Sequence, residues 1–391
     1  MDINRGCEIP QYWENNSKRS TLKEYSSVKT STILKVAQNL LDFAIQLSSL
    51  VGLPRDHVAT AAVGFRTESY LIRQAYKIGE LVPPRVERPY FPYKSGIVLK
   101  PKQGLHGKTA VLDFKSMYPN IMISKNISPD TCIEPEEKEP STGVYIAPEV
   151  KHRFRRTPPG FYSKVLSNLI AARDEVRDKL KRFDPGQIEY RVLDARQRAI
   201  KIITNATYGY AGWVGAQWYV RQVSEAAAAW GRYTIDHAID IAKKEGLEVI
   251  HGDTDSLFVE FDNKKISRFV KAVQKELDLE IRLYEIYERI VFTEAKKRYA
   301  GLFQDGKLDI VGLEVARGDW SEAARKVQEG VLEIILKEKS PEKATAFVQK
   351  YLAELRAKKV PYRNLIVWKT LTKETTEYAV KAPTWRQLNA F

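Results

Sequence analysis

The stretch LEVIHGDTDSLFVEF at 247–261 constrains the fold most: two short apolar runs flank a Gly-Asp-Thr-Asp segment. That pattern predicts a β-hairpin whose tip carries two carboxylates, Asp253 and Asp255. A second apolar strand, Ala110-Val111-Leu112, delivers Asp113 much earlier in the chain. Strand ends hold side chains rigidly, and turns expose them. Carboxylates are hard oxygen donors suited to Mg²⁺. Two such ions about 3.5–4 Å apart can activate an attacking hydroxyl and stabilise a leaving phosphate oxygen. A centre of that kind needs acidic residues from separate strands, which this sequence supplies. Asp is also a frequent turn former, so GDTDS read alone is as much a turn as a site.

Around these strands the pattern is largely helical. Residues 1–30 are polar and poorly patterned, and are expected to wrap on a surface. Ser31–Val51 reads as an amphipathic helix ended by Gly52 and Pro54, and a further helix is expected around 66–78. The Pro- and Gly-rich stretch 79–108 reads as turns and short strands, and 130–150 as surface excursions. A basic run, Lys151, Arg153, Arg155 and Arg156, precedes two long helices over roughly 161–183 and 190–208, broken at DPGQ. Another helix covers about 220–245 and contains the compact run Ala226 to Ala229. The remainder is expected to be mostly helical, with strands near 298–314 and 364–380.

On the second long helix Lys201, Asn205 and Tyr208 are spaced i, i+4, i+7 and share a face. Ala199, Ile202, Ile203 and Ala206 fall largely on the other side and are expected to pack. Arg173 and Arg177 lie one turn apart on the preceding helix, so an antiparallel pair could present a cluster of cations to one triphosphate. By spacing alone, a solvated basic face explains the same residues.

Composition narrows the alternatives. The chain has 391 residues, enough for two or three domains, and a formal net charge of +14 that suits a polyanionic partner. Its only cysteines are Cys7 and Cys132, which argues against a disulfide framework or a cysteine-rich zinc site and fits a reducing interior compartment; the expected location is cytoplasmic and nucleoid-associated. No run of 18 apolar residues predicts a membrane-spanning helix. No Gly-x-Gly-x-x-Gly occurs, and Gly107-Lys108-Thr109 lacks the leading glycine of the full Gly-x-x-x-x-Gly-Lys-Ser/Thr signature because Lys102 stands there, which gives no support to a nicotinamide dehydrogenase or a P-loop ATPase.

Five segments in order resemble the motifs of the family B DNA polymerases, most closely the archaeal ones: DFKSMYPNI at 113–121, KIITNATYG at 201–209, GDTDS at 252–256, KKRY at 296–299 and GLEVARGDW at 312–320. The resemblance runs from about residue 25 onward. It implies an α+β fold: a palm of antiparallel sheet with helices, a helical-hairpin fingers domain and an incomplete thumb. The implied segments are an exonuclease remnant with an N-terminal helix (1–60), palm (61–159), fingers (160–212), palm again (213–320) and the opening of the thumb (321–391). The implied activity is transfer of a nucleotide from a dNTP to a primer 3′-hydroxyl, assisted by two Mg²⁺ ions for which Mn²⁺ can substitute.

The resemblance also assigns roles. Asp113 and Asp255 would be the main metal ligands with the backbone carbonyl of Phe114, and Asp253 would have a lesser metal or primer-end role. Tyr118 would exclude a 2′-hydroxyl. Arg173, Lys201 and Arg177 would hold the triphosphate, with Asn205 near the phosphates and Tyr208 near the nascent base pair. Lys296, Lys297, Arg298 and Tyr299 would contact the primer–template. Departures are Asn120, Ala206, His251 and Gly318, and YKSG at 93–96; none removes a metal ligand.

EYSSVK at 24–29 resembles the third exonuclease motif with Lys29 at the Asp position, which implies no proofreading by this chain. TEYAVKAPTWRQLNAF resembles the start of a thumb, and implies a second polypeptide completing it or a truncated fragment; the resemblance leaves room for a sliding clamp. The competing reading is a non-catalytic DNA-binding scaffold in a replication or repair complex.

Overall fold

The computed structural model describes residues 9–367. Its helices are α1 (Ile9–Glu14), α2 (Arg19–Val51), α3 (Arg55–Thr60), α4 (Val63–Ile78), α5 (Met117–Ser124), α6 (Phe161–Leu180), α7 (Ile188–Ala211), α8 (Arg221–Lys244), α9 (Asn263–Leu277), α10 (Glu322–Glu338) and α11 (Pro341–Arg356). Its strands are β1 (Gly104–His106), β2 (Thr109–Phe114), β3 (Cys132–Ile133), β4 (Val144–Ile146), β5 (Arg153–Arg155), β6 (Val249–Asp253), β7 (Ser256–Glu260), β8 (Ile281–Tyr287), β9 (Arg289–Phe292), β10 (Tyr299–Leu302) and β11 (Leu308–Val311). The chain divides into two units, one of residues 1–96 and 116–234, the other of 97–115 and 235–391.

The first unit is mostly helical and carries one small sheet of order β3-β5-β4. α7 packs on α6, α2, α4 and α5, and the buried faces contribute Leu47, Leu71, Leu166, Leu169, Ala199 and Ile203. Buried hydroxyls on α7 bond back within the helix: Thr204 Oγ1 donates to Ile200 O at 2.8 Å and Thr207 Oγ1 to Ile203 O at 3.0 Å. Gly160 has no side chain to cap α6, so distant residues satisfy the first amides. Phe161 N donates to Asp130 Oδ1 at 3.0 Å, Tyr162 N to Ser128 Oγ at 3.0 Å and Gly160 N to Asn126 Oδ1 at 2.8 Å. Glu68 is buried and accepts from Arg85, from Tyr210 Oη at 2.9 Å and from Gln217 N at 3.2 Å, which ties α4 to the end of α7.

The second unit is layered. One antiparallel sheet has the order β6-β7-β2-β8, the other β1-β9-β10-β11. Val111, Ile250, Phe258, Tyr287, Ile290 and Phe292 form one core, with Tyr299 and Phe303 against it. On the opposite face of β10, Ala300 and Leu302 pack with Leu332 and Leu336 of α10. The period-2 alternation of β10 therefore serves two cores at once.

Several expectations are corrected. The helix expected from Ser31 starts at Arg19, and α1 precedes it, so residues 9–30 are mostly helical. Apolar residues of α2 at Ile33, Leu34, Val36, Leu40 and Leu41 stay exposed, and its burial is concentrated toward Leu47, Leu50 and Val51. The expected excursions at 130–150 contribute β3 and β4 to a three-stranded sheet with β5. β8 and β9 stand where helix was expected. β8 is an edge strand exposing Arg282, Leu283 and Tyr284, so its sequence lacks a clean alternation. Ile202 is exposed, whereas Thr204 and Thr207 take the buried positions. Of the strand expected at 364–380, Tyr362–Leu365 begins as a 3₁₀ turn; positions beyond 367, like Cys7, lie outside the described residues.

Candidate active site

β2 runs between β7 and β8, and every residue in it is buried except Asp113. A carboxylate there sits on an otherwise apolar strand pinned on both sides. The β2–β7 ladder sets Asp113 opposite Ser256, and Phe114 N donates to Asp255 O at 2.9 Å. The backbone of Asp255, at the hairpin tip, is thereby bonded to the residue that follows Asp113.

The hairpin turn itself is tight. Asp253 pairs with Ser256, leaving Thr254 and Asp255 as the loop, and Thr254 adopts the left-handed region with φ 59°. Asp255 N donates to Asp253 O at 2.6 Å and Ser256 Oγ to the same oxygen at 3.2 Å. Segment 97–99 braces the turn: Thr254 N donates to Ile97 O at 3.1 Å and Leu99 N to Gly252 O at 2.9 Å. His251 points into the core, its ring 5.4 Å from Phe258 and 5.3 Å from Phe292, and burial lowers its pKa.

Asp253 is already partnered: its Oδ1 lies 3.0 Å from Lys297 Nζ and accepts from Thr254 Oγ1 at 3.0 Å. Lys297 reaches it from a turn with φ 60°, and its carbonyl lies so close to Gly312 that a Cβ there would meet it at 2.1 Å. Gly312, with φ 64°, is thereby fixed as glycine. Arg298 pairs with Glu314, whose carboxyl is pulled down to about 2 by hydrogen bonds from Gln328 and Arg298. Tyr299 packs 5.3 Å from Phe258 and 5.5 Å from Phe292, and burial pushes its hydroxyl up to about 12. Of the KKRY segment, Lys296 and Lys297 remain exposed.

A cavity of about 450 Å³ opens beside Asp113, lined also by Ser256, Glu285, Tyr287, Tyr299 and Asp309. Tyr287 Oη donates to Asp309 Oδ2 at 2.6 Å, and the carboxyl of Glu285 is raised by burial and by Asp309. Neither acidic residue stands out in the sequence, since neither belongs to a motif.

In the helical unit, Lys201 and Asn205 are exposed and Tyr208 is half-buried on one face of α7. Arg173 of α6 donates from Nε and Nη2 to Gln197 Oε1 at 3.3 and 3.2 Å. Gln197 is one turn before Lys201, so the bond fixes Arg173 beside the same face of α7. Arg177 lies a turn further along α6, 4.0 Å from Asp174. Tyr118 of α5 stacks on Tyr208 with ring centroids 4.3 Å apart and planes at 8°. Burial raises the Tyr208 hydroxyl pKa, as does a hydrogen bond with Tyr93. The structure adds Gln197 and Tyr93 to the residues recognised from sequence. Gln197 was legible as the preceding member of the 201/205/208 face; Tyr93 gave no signal beyond lying in YKSG.

The family model "DNA polymerase family B" matches residues 53–388. "DNA polymerase 2" of Aeropyrum pernix is 48% identical over 96% of this chain and 47% of its own length. A "DNA polymerase" of Archaeoglobus fulgidus is 41% identical over 95% of this chain and 47% of its length. The solved structure of the family B DNA polymerase from the hyperthermophilic archaeon Pyrobaculum calidifontis superposes with a TM-score of 0.80 at 50% identity, over 95% of this chain and 49% of that one. The chain spans about half the length of the relatives it matches. With antiparallel sheets and a helical hairpin of the palm-and-fingers kind, the chain belongs to DNA polymerase family B.

Proposed function

We propose that this chain is the catalytic core of a DNA-directed DNA polymerase. The observation that carries the reading is the β2–β7 ladder, which puts Asp113 opposite Ser256 and bonds Phe114 N to Asp255 O at 2.9 Å. In the reaction the primer O3′ forms a bond to the α-phosphorus of a dNTP. The bond from that phosphorus to the bridging oxygen breaks, pyrophosphate leaves, and the hydroxyl proton passes to water.

Asp113 and Asp255, with the carbonyl of Phe114, would hold two Mg²⁺ ions. The donor set fits: all are hard oxygens, and Mg²⁺ commonly takes one or two protein carboxylates and completes its shell with water and substrate phosphates. No group of three or more His, Cys, Asp or Glu poised to hold a metal occurs among the described residues. Bound there, the ions would lower the pKa of the attacking hydroxyl and offset charge on the departing oxygen; Mn²⁺ prefers similar donors.

The chain's own residues do the positioning. Lys201, Arg173 and Arg177 meet the triphosphate charge, the first as a point charge and the others as planar forks. Asn205 lies on the same face as Lys201 and is assigned to the phosphates. Tyr208 is assigned to the base pair, and Tyr118, stacked on it, to the space a 2′-hydroxyl would need. Asp253, neutralised by Lys297, shapes the turn that presents Asp255. Lys296 and Lys297 are assigned to the DNA backbone, while Arg298 and Tyr299 act by holding that segment in place.

Primer extension at low salt with dNTPs and Mg²⁺ tests the assignment. Wild-type chain is expected to extend the primer, and Asp255→Asn to lose about 10²–10³-fold or more in rate with an unchanged melting temperature. Near-normal extension by the variant refutes the assignment. Template binding without extension by the wild type would favour the scaffold reading.

A further inference from the structure

We infer that Gly231 is a specificity-determining residue: the side chain it lacks sets the depth of the Tyr118 ring, and with it the room left for a sugar 2′-hydroxyl. This rests on reading Tyr118 as the sugar gate. Gly231 lies inside α8, directly after the buried run Ala226 to Ala229 and Trp230. A helix-interior glycine costs about 1 kcal/mol relative to alanine, so a glycine there needs a steric reason. The reason is Tyr118. A Cβ on residue 231 would lie 2.7 Å from Tyr118 Cε1 and 3.1 Å from both Cζ and Oη, with no backbone atom nearer.

Neither side of this contact yields easily. The next residue on α8, Arg232, is buried and donates to Glu149 Oε2 at 2.8 Å, to Lys94 O at 2.7 Å and to Ser95 O at 2.8 Å. These bonds hold the helix turn that carries Gly231. On its flat face the Tyr118 ring already touches Tyr208, with centroids 4.3 Å apart. With Tyr208 against its face and a new methyl pressing on Cε1, Cζ and Oη, the half-buried Tyr118 ring is expected to shift away from α8, toward its solvent-accessible edge. On the reading of Tyr118 as the sugar gate, a shift in that direction takes the ring toward the sugar, so an added methyl is expected to tighten the gate.

The test compares Gly231→Ala in two backgrounds, wild type and Tyr118→Ala, by steady-state incorporation of dNTP and of rNTP opposite the same template base. In the wild-type background Gly231→Ala is expected to make ribonucleotide exclusion about tenfold stricter and to raise KM for dNTP more than it lowers kcat; a displacement of about 1 Å is enough for an effect of that size. In the Tyr118→Ala background, where the ring is gone, the same substitution is expected to change the ratio by less than about twofold. Equal shifts in both backgrounds, or none in either, overturn the role of Gly231. If Tyr118→Ala alone leaves sugar discrimination unchanged, the gate reading itself fails, which is a different result. Should Gly231→Ala melt too low to assay, recovery of its melting temperature on adding Tyr118→Ala supports the contact, and no recovery overturns it.

Discussion

Asp253 and Asp255 are two residues apart in one turn, yet their surroundings give them different work. The carboxylate of Asp253 meets Lys297 at 3.0 Å, and the backbone of Asp255 is bonded across to β2. A similar division holds one strand over. Arg298 spends its guanidinium on Glu314, which also accepts from Gln328 Nε2 at 2.6 Å. These bonds depress the Glu314 carboxyl to about 2. A depressed folded-state pKa contributes stability above the unfolded value near 4.3, and that stability is lost as pH falls through the folded value. Glu314→Gln removes the charge facing Arg298 and is expected to cost about 1–3 kcal/mol at neutral pH. Thermal melts from pH 7 downward check this: the gap between wild type and variant should narrow from about pH 4, where the unfolded-state carboxylate takes up its proton, until the native carboxylate is protonated as well at about 2. A gap independent of pH across that range would assign the loss to packing instead.

The α6–α7 hairpin shows what an element adds to its residues. The 3.6-residue period predicts that Lys201, Asn205 and Tyr208 share a face, and they do share one side of α7. The period does not say what stands opposite, and there Gln197 supplies the answer by holding Arg173 at 3.2 Å. Lys201→Ala is expected to raise KM for dNTP about 10–100-fold, the worth of a charge-assisted hydrogen bond, while leaving the hairpin folded. Gln197→Ala, which only loosens Arg173, should raise it by a smaller factor, about threefold. Single-turnover titrations against dNTP check both, and an equal loss from the two variants would mean that Gln197 itself touches the nucleotide. What was legible in advance follows from the same distinction. Asp113, Asp255 and the face of α7 show as periodic or turn-bound signals within one segment. The Glu68–Tyr210 bond, the Lys297–Asp253 pair and the fit of Gly231 against Tyr118 join residues far apart in the chain, and no local pattern encodes such pairs. β8 was missed for a related reason: as an edge strand it is specified by its pairing with β2, not by alternation of its own.

At the scale of the whole molecule, the excess of 63 basic over 49 acidic residues suits the polyelectrolyte partner proposed for the chain. Composition gives the size of the excess but not which cations meet phosphate and which serve the fold. Arg298 illustrates the second class, being paired with Glu314 and partly buried; Lys296, exposed in the same segment, is the candidate proposed for the first. If the chain binds duplex DNA through phosphate contacts, the logarithm of its affinity for a primer–template falls linearly with that of salt concentration, by about 0.9 per contact. Fluorescence anisotropy between about 50 and 200 mM salt measures that slope, a range over which several contacts give a loss of about 10³-fold or more. Lys296→Ala is expected to weaken binding equally on all sequences and to reduce the slope by about 1. Arg298→Ala should leave the slope unchanged and lower the melting temperature instead, because it strands Glu314 beside Gln328 rather than removing a phosphate contact. A slope near zero would detach the net charge from DNA binding altogether. A slope altered by Arg298→Ala but not by Lys296→Ala would mean that Arg298 exchanges Glu314 for phosphate when DNA arrives.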